Sequence, residues 1–267
     1  MKNITVLIPT YKRIHALTVT LTSLCFQEEN AFDIIISDQS SQHTLEEDPS
    51  FITTCLLLKQ KGCVVSVLKN LPRKGLAQQR QFLLENASTD FVLYLDDDII
   101  LESYVIKNLS YIIKKQKIGF AGNAVIGLSY KNDIRSHQQT ICFWKGKVQP
   151  ELVEPGTEAW QRHQLHNAAN LLHVQEKLRI SSKNPIPYKI AWVGGCVLYD
   201  RKKLLDCGGF SFWEELPEKH CGEDVLMQLR VMKRYGGCGV LPSGAYHQEL
   251  KTTVNDRNVN APEVLAI

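Results

Sequence analysis

Asp96, Asp97 and Asp98 stand in a row directly after five apolar residues, Phe91-Val92-Leu93-Tyr94-Leu95. The apolar run reads as a buried strand, which puts three carboxylates at its carboxyl end. Clustered like charge repels itself and calls for a cation or a solvated turn. In an open α/β sheet, ligands lie outside the carboxyl ends of the strands. Hard divalent cations take oxygen ligands and are often shared with substrate phosphates. The competing reading is a polar turn in which one Asp caps the helix that follows. A second acidic pair, Glu223-Asp224, opens a stretch with apolar positions at Val225, Leu226 and Leu229. A carboxylate there can take the proton of an attacking hydroxyl, and acids in a first turn also complement the helix dipole.

Smaller features join these. Pro9-Thr10-Tyr11-Lys12-Arg13 follows an apolar run and offers a ring, a hydroxyl and two cations. Asp38 follows another apolar run. Lys74-Gly75-Leu76-Ala77-Gln78-Gln79-Arg80 begins a helical stretch where small residues permit close approach and Arg80 can face a phosphate. Each has a structural alternative: Thr10 as a helix cap, Asp38 in a turn, Arg80 on a solvated face. Gly194-Gly195 within an apolar strand means a bulge or a close backbone approach. Trp192 and Trp213 are rings for a sugar or for the core. His163 and His166, at i and i+3, lack further metal ligands nearby.

The elements that position these residues follow from periodicity. Strands are expected at Ile4 to Ile8, stopped by Pro9, at Phe32 to Ile36, Val64 to Leu68 and Phe91 to Leu95. Helical spacing covers residues 14–26, 44–60 and 75–86. Strands alternating with helices predict an α/β fold with a mostly parallel central sheet flanked by helices. Further on, the pattern predicts helices over 102–116, 201–206 and 223–235, and strands over 119–126, 190–199 and 239–241. Residues 130–187 read as an insertion, helical over 156–180, and 251–267 as a polar tail.

The 267 residues, 44% of them hydrophobic, fit one domain over 1–250 with a sizeable core. A net charge of +3 gives no drive toward nucleic acid. The modest cluster Arg201-Lys202-Lys203 is a solvated helix face or a weak bilayer contact. Eight cysteines without C-x-x-C spacing read as reduced thiols, which favours a cytoplasmic setting. The first apolar run is too short for a signal peptide, and no segment reaches the ~18 apolar residues of a spanning helix.

Taken in order, Val6-Leu7-Ile8-Pro9-Thr10-Tyr11, Asp38, Gly75 to Arg80, Tyr94 to Asp98, Gly194-Gly195-Cys196, Gly208-Gly209-Phe210 and Gly222-Glu223-Asp224 resemble the family 2 glycosyltransferases of the GT-A fold. The resemblance implies an inverting, metal-dependent enzyme that moves a sugar from a nucleotide-diphospho-sugar, usually UDP-linked, to a hydroxyl. The acceptor would be a saccharide or a lipid-linked saccharide, met in the cytoplasm or at the inner face of the membrane. The first hundred residues would bind the donor, and the second half, with the insertion, the acceptor. It implies a donor site at Pro9, Thr10, Tyr11, Arg13, Asp38, Gly75, Arg80, Asp96, Asp97, Gly194 and Gly195. Asp38 would meet the base, although Ser37-Asp38-Gln39 departs from the usual two acids and a glycine. Asp96 and Asp98 fall on the D-x-D motif and, with His247, would hold Mn²⁺ or Mg²⁺. Asp224 would be the general base, with Glu223 orienting the acceptor. A sugar-phosphate nucleotidyltransferase would need a glycine-rich loop after the first strand, which Pro9 to Arg13 lacks. The alternative from another class is a non-catalytic nucleotide-sugar or glycan-binding protein, against which Asp224 gives only a weak argument.

Overall fold

The computed structural model describes residues 2–41, 45–254 and 256–267. Thr44, at the start of the expected second helix, and Asn255 of the expected tail lie outside the described residues. The strands are β1 (Ile4–Thr10), β2 (Phe32–Asp38), β3 (Val65–Lys69), β4 (Phe91–Leu95), β5 (Ile99–Leu101), β6 (Phe120–Gly122), β7 (Ile186–Tyr188), β8 (Cys196–Asp200), β9 (Gly237–Leu241) and β10 (Ala245–His247). The helices are α1 (Ile14–Leu24), α2 (Pro49–Gln60), α3 (Leu76–Glu85), α4 (Val105–Gln116), α5 (Asn170–Leu178), α6 (Arg201–Asp206), α7 (Glu223–Tyr235) and α8 (Ala261–Val264).

Eight strands form one sheet in the order β3-β2-β1-β4-β8-β6-β9-β7. β1, β2, β3 and β4 are mutually parallel, β6 and β9 are parallel, and β8 runs antiparallel between β4 and β6. The strands are apolar on both faces because helices cover both. Along β1, Ile4, Val6 and Ile8 pack with α1, α2 and α4, while Leu7 faces α3 and α7. β4 alternates the same way, Leu93 and Leu95 against Val92 and Tyr94. Each fully buried leucine on these faces contributes about 1.5–3 kcal/mol relative to exposure.

Several expected boundaries move. β1 does not stop at Pro9 but runs through it to Thr10. The Thr10 carbonyl accepts from Gln39 N on the β2 side, so Pro9 faces the β4 side, where pairing has already ended at Leu7–Tyr94. A missing N–H costs nothing on such an open edge. Asp48 caps α2, its carboxylate accepting from Phe51 N at 2.8 Å, with Pro49 at the first helical position. Within 190–199 only Cys196–Asp200 is a strand, and the insertion supplies α5 and edge strand β7 rather than one long helix. The last residues do not trail free. Asn260 pairs with Cys221, and the Ala266 carbonyl accepts from the Arg230 guanidinium on α7.

Two short strands escape periodicity, β5 and β10, which pair antiparallel as Ile99–His247 and Leu101–Ala245. That pairing brings His247 to the aspartate turn. Because β8 is antiparallel to β4, its first residue sits beside Leu95, and Gly195 lies against Asp96.

Candidate active site

β1 and β4 deliver their ends to the same edge of the sheet, and the acidic turn is built there. Asp97 is buried; its carboxylate accepts from Thr10 Oγ1 at 2.7 Å and from Arg13 at 3.3 Å. Burial, aided by its neighbours Asp98 and Asp96, pushes its pKa up to about 6 against the pull of Thr10 and Arg13. Thr20 of α1 holds the turn by donating to the Asp97 carbonyl and accepting from Ile99 N. Asp98 is also buried, with Arg13 Nη1 at 2.6 Å and His247 Nε2 at 3.5 Å from one carboxylate oxygen. Burial raises its pKa too. Asp96 is the outward member, its side chain 38% exposed.

The amino ends of α3 and α7 form the opposite wall. Arg80 is buried rather than solvated. Its Nε donates to Glu223 at 3.0 Å and its Nη2 to Asp96 at 3.1 Å, so one guanidinium ties α3, α7 and the end of β4 together. Arg80 and Glu223 are therefore engaged with each other while both line the cavity. Asp224, the next residue, lines the cavity and accepts from Val225 N at 2.9 Å. Burial and the neighbouring Glu223 carboxylate lift its pKa to about 7, with Arg80 opposing them. Gly75 caps α3 with φ +96°, and a Cβ there would lie 2.4 Å from the His220 ring. Only glycine takes that backbone and that approach.

All these groups surround one cavity of about 820 Å³. In its wall the Arg73 guanidinium stacks on the Tyr11 ring at 3.8 Å, and Gln39 also belongs to the lining. The lining includes Pro9, Thr10, Tyr11, Arg13, Gly75, Arg80, the three aspartates, Glu223, Asp224 and His247, which brings together most of the residues singled out from sequence. Asp38 is not among them. It is fully buried, held by Lys69 Nζ at 2.5 Å and Ser40 N at 2.8 Å. Gly194 and Gly195 do not line this cavity either. Gly195 accepts from Asp96 N at 2.9 Å and borders a small void shared with Asp224 and Tyr199. Trp192 does line it, backed by His163 stacked at 4.9 Å and Trp160 at 4.5 Å. His163 and His166 are thus packing residues, His166 bonding to Tyr188 Oη at 3.0 Å. Trp213 lies outside the lining, with Lys74 over its ring. Sequence reasoning missed Gln39, Arg73 and His220, none of which carries a spacing signal.

Five carboxylates meet two close guanidinium groups here, so the corner keeps excess negative charge. Among the described residues no three His, Cys, Asp or Glu side chains are already gathered for a metal ion. Asp98 and His247 nevertheless come within 3.5 Å of each other, and Asp96 is half-buried next to Asp98 in the chain. A small protein shell of that kind suits a divalent cation completed by substrate phosphates. The carboxylates present fit the ion that the motif implies; His247, whose Nδ1 accepts from Glu249 N, carries its proton on Nε2 and joins them only once that proton leaves.

Residues 5–174 match the family model described as Glycosyl transferase family 2. Among solved structures, TarS of S. aureus (residues 1–349) has a TM-score of 0.57 at 17% identity, over 92% of this chain and 60% of that one. In complex with UDP-GlcNAc it matches at 0.58 and 15% identity, over 100% of this chain and 62% of that one. The mannosyltransferase PcManGT from Pyrobaculum calidifontis, in complex with GDP-Man and Mn²⁺, matches at 0.57 and 14% identity, over 94% and 58%. A Haemophilus influenzae protein described as uncharacterized is 27% identical over 124 residues, 46% of this chain and 62% of its own length. The chain thus spans about 60% of the 1–349 segment of TarS and 36% of the longer TarS chain. These likenesses carry the fold, a GT-A α/β sheet. The family model runs from β1 into α5, well over half the sequence, and the chain belongs to glycosyl transferase family 2.

Proposed function

We propose that the protein is an inverting glycosyltransferase that moves a sugar from a nucleotide-diphospho-sugar, UDP-linked by preference, to a hydroxyl of a saccharide or lipid-linked saccharide. One observation carries this: a single cavity is lined by a ring–guanidinium stack, by the three aspartates of the acid corner and by Asp224, a carboxylate of pKa about 7. The flat Tyr11–Arg73 surface suits a nucleobase. The ligands reported for TarS, UDP-GlcNAc, and for PcManGT, GDP-Man with Mn²⁺, are of the same class.

Asp98 and His247, with Asp96, would hold Mn²⁺ or Mg²⁺. When bound, the ion supplies Lewis-acid neutralisation of the charge that gathers on a departing diphosphate. The protein's own residues do the rest. Asp224 takes the proton of the acceptor hydroxyl, whose oxygen attacks the anomeric carbon from the face opposite the diphosphate. The carbon–oxygen bond to phosphate breaks with its electron pair on the nucleoside diphosphate, and one displacement inverts the carbon. Arg80 holds Glu223 and Asp96 in register around that line, and Trp192 offers a ring to the sugar. No helix among the described residues is long and apolar enough to cross a membrane. A lipid-linked acceptor would be met at the bilayer surface, in a role such as cell-envelope glycan synthesis.

A panel of UDP- and GDP-sugars with Mn²⁺ tests the reading directly. At least one should raise the melting temperature, by mass action on the native state, and release nucleoside diphosphate when acceptor is added. No protection and no release by any of them overturns it. Asp98→Ala should weaken Mn²⁺-dependent donor binding by on the order of 10–100-fold, measured by calorimetry. Unchanged affinity would remove Asp98 from the ion's shell.

A further inference from the structure

We infer that His220 is a positioning residue that latches the loop ahead of α7 onto the amino end of α3 and thereby sets the place of Asp224. The inference rests on the assignment of Asp224 as base. His220 is 2% exposed and lies in the cavity wall. Its Nδ1 is 2.7 Å from the Pro217 carbonyl and its Nε2 is 3.1 Å from the Ala77 amide. A carbonyl accepts and an amide N–H donates, so only the neutral ring with its proton on Nδ1 satisfies both partners. The ring fills the space where a side chain at Gly75 would be.

The latch has a counterpart on the other side of the loop. Cys221 N donates to the Val259 carbonyl, and Ala261 N donates to the Cys221 carbonyl, both at 2.9 Å. His220 and Cys221 are thus clamped from two directions immediately before Gly222, which enters α7 at φ +74°. One turn along α3 from Ala77, Arg80 grips Glu223. Two ties between the same pair of helix ends, at His220 and Glu223, hold the backbone that leads directly into Asp224. The Asp224 carboxylate bonds to its own Val225 amide, so its place in the cavity follows from where that backbone is held.

The test compares His220→Leu, which removes the acceptor, with His220→Gln, whose amide oxygen can accept from Ala77 N. Misplacing a reacting group by about an ångström costs up to a hundredfold in rate. His220→Leu should lose about 10–100-fold in kcat, with affinity for UDP and Mn²⁺ within about threefold of wild type and a displaced pH–kcat profile. His220→Gln should recover most of the rate. A Leu variant with wild-type kcat overturns the inference. So does a parallel loss of rate and UDP affinity in both variants, which is the mark of general damage. Amide exchange at Ala77 reads the latch without activity: slow in wild type and the Gln variant, fast in the Leu variant. Equal protection in all three overturns the latch, whereas a wild type that binds no nucleotide sugar overturns the glycosyltransferase reading instead.

Discussion

Asp224→Asn is expected to abolish sugar transfer, lowering kcat by about 10²–10⁴-fold, while UDP binding with Mn²⁺ stays within a few-fold of wild type. An acceptor hydroxyl is a poor nucleophile near neutrality, and the amide cannot take its proton. The native carboxylate can, because burial and the adjacent Glu223 raise its pKa to about 7. The same shift fixes two pH dependences. Turnover should climb as pH rises through about 7, as the carboxyl loses its proton. Stability runs the other way. Between the ordinary carboxyl range and about 7, the folded protein keeps a proton that the unfolded chain has released, so folding weakens as pH rises through that window. Asn carries no such cost. The variant should therefore melt higher than wild type above about pH 7.5 and level with it below about pH 4. A variant with normal turnover would remove Asp224 from the chemistry.

Much of this site was legible because its parts follow long apolar runs. β1 and β4 announce themselves as buried strands, and whatever follows such strands in a doubly covered sheet must emerge at one edge. Thr10, Tyr11, Arg13 and the three aspartates could be placed together on that ground alone. α7 was equally clear from its apolar spacing after Glu223-Asp224. What failed to show was pairing over short lengths. Ile99-Ile100-Leu101 looks like the beginning of the next helix, and only its ladder with β10 makes it a strand that carries His247 to Asp98. The direction of β8 was hidden for the same reason, since an apolar run has no sign.

Partner choice between buried polar groups was hidden as well. Asp38 has the expected location at the end of β2, but Lys69, its register partner on β3, turns its carboxylate away from the cavity. Gln39 lines the cavity one residue later. His220 sits in Pro217-Glu218-Lys219-His220, a stretch that reads as an exposed turn. Its ring is buried because Gly75, remote in sequence, leaves room for it. Arg80 was open between a phosphate contact and a solvated face; it is buried in the cavity wall, tied to two carboxylates.

That third outcome makes Arg80 the residue whose loss should damage the protein most. Burial opposes the charge of its guanidinium, but Asp96, Glu223 and Asp224 outweigh that and hold it protonated. Tyr94 fixes its backbone, Oη donating to the Arg80 carbonyl at 2.8 Å. A buried ion pair is not by itself a large gain, since desolvation offsets the Coulomb attraction. Removing one member is different, because Glu223, only 4% exposed in its side chain, then stays buried without a counter-charge. Arg80→Met should cost about 3–5 kcal/mol, or on the order of 10 °C in melting temperature, and turnover should fall with it as α3 and α7 lose their common tie. Arg80→Lys should rescue little, because one ammonium cannot match the fork that reaches two carboxylates. Adding Glu223→Gln to Arg80→Met should return a substantial part of the stability, since the stranded charge is gone, and a double-mutant cycle in urea measures that coupling. If Arg80→Met unfolds at the same urea concentration as wild type, the guanidinium is not what holds the two helix ends and the acid corner in register.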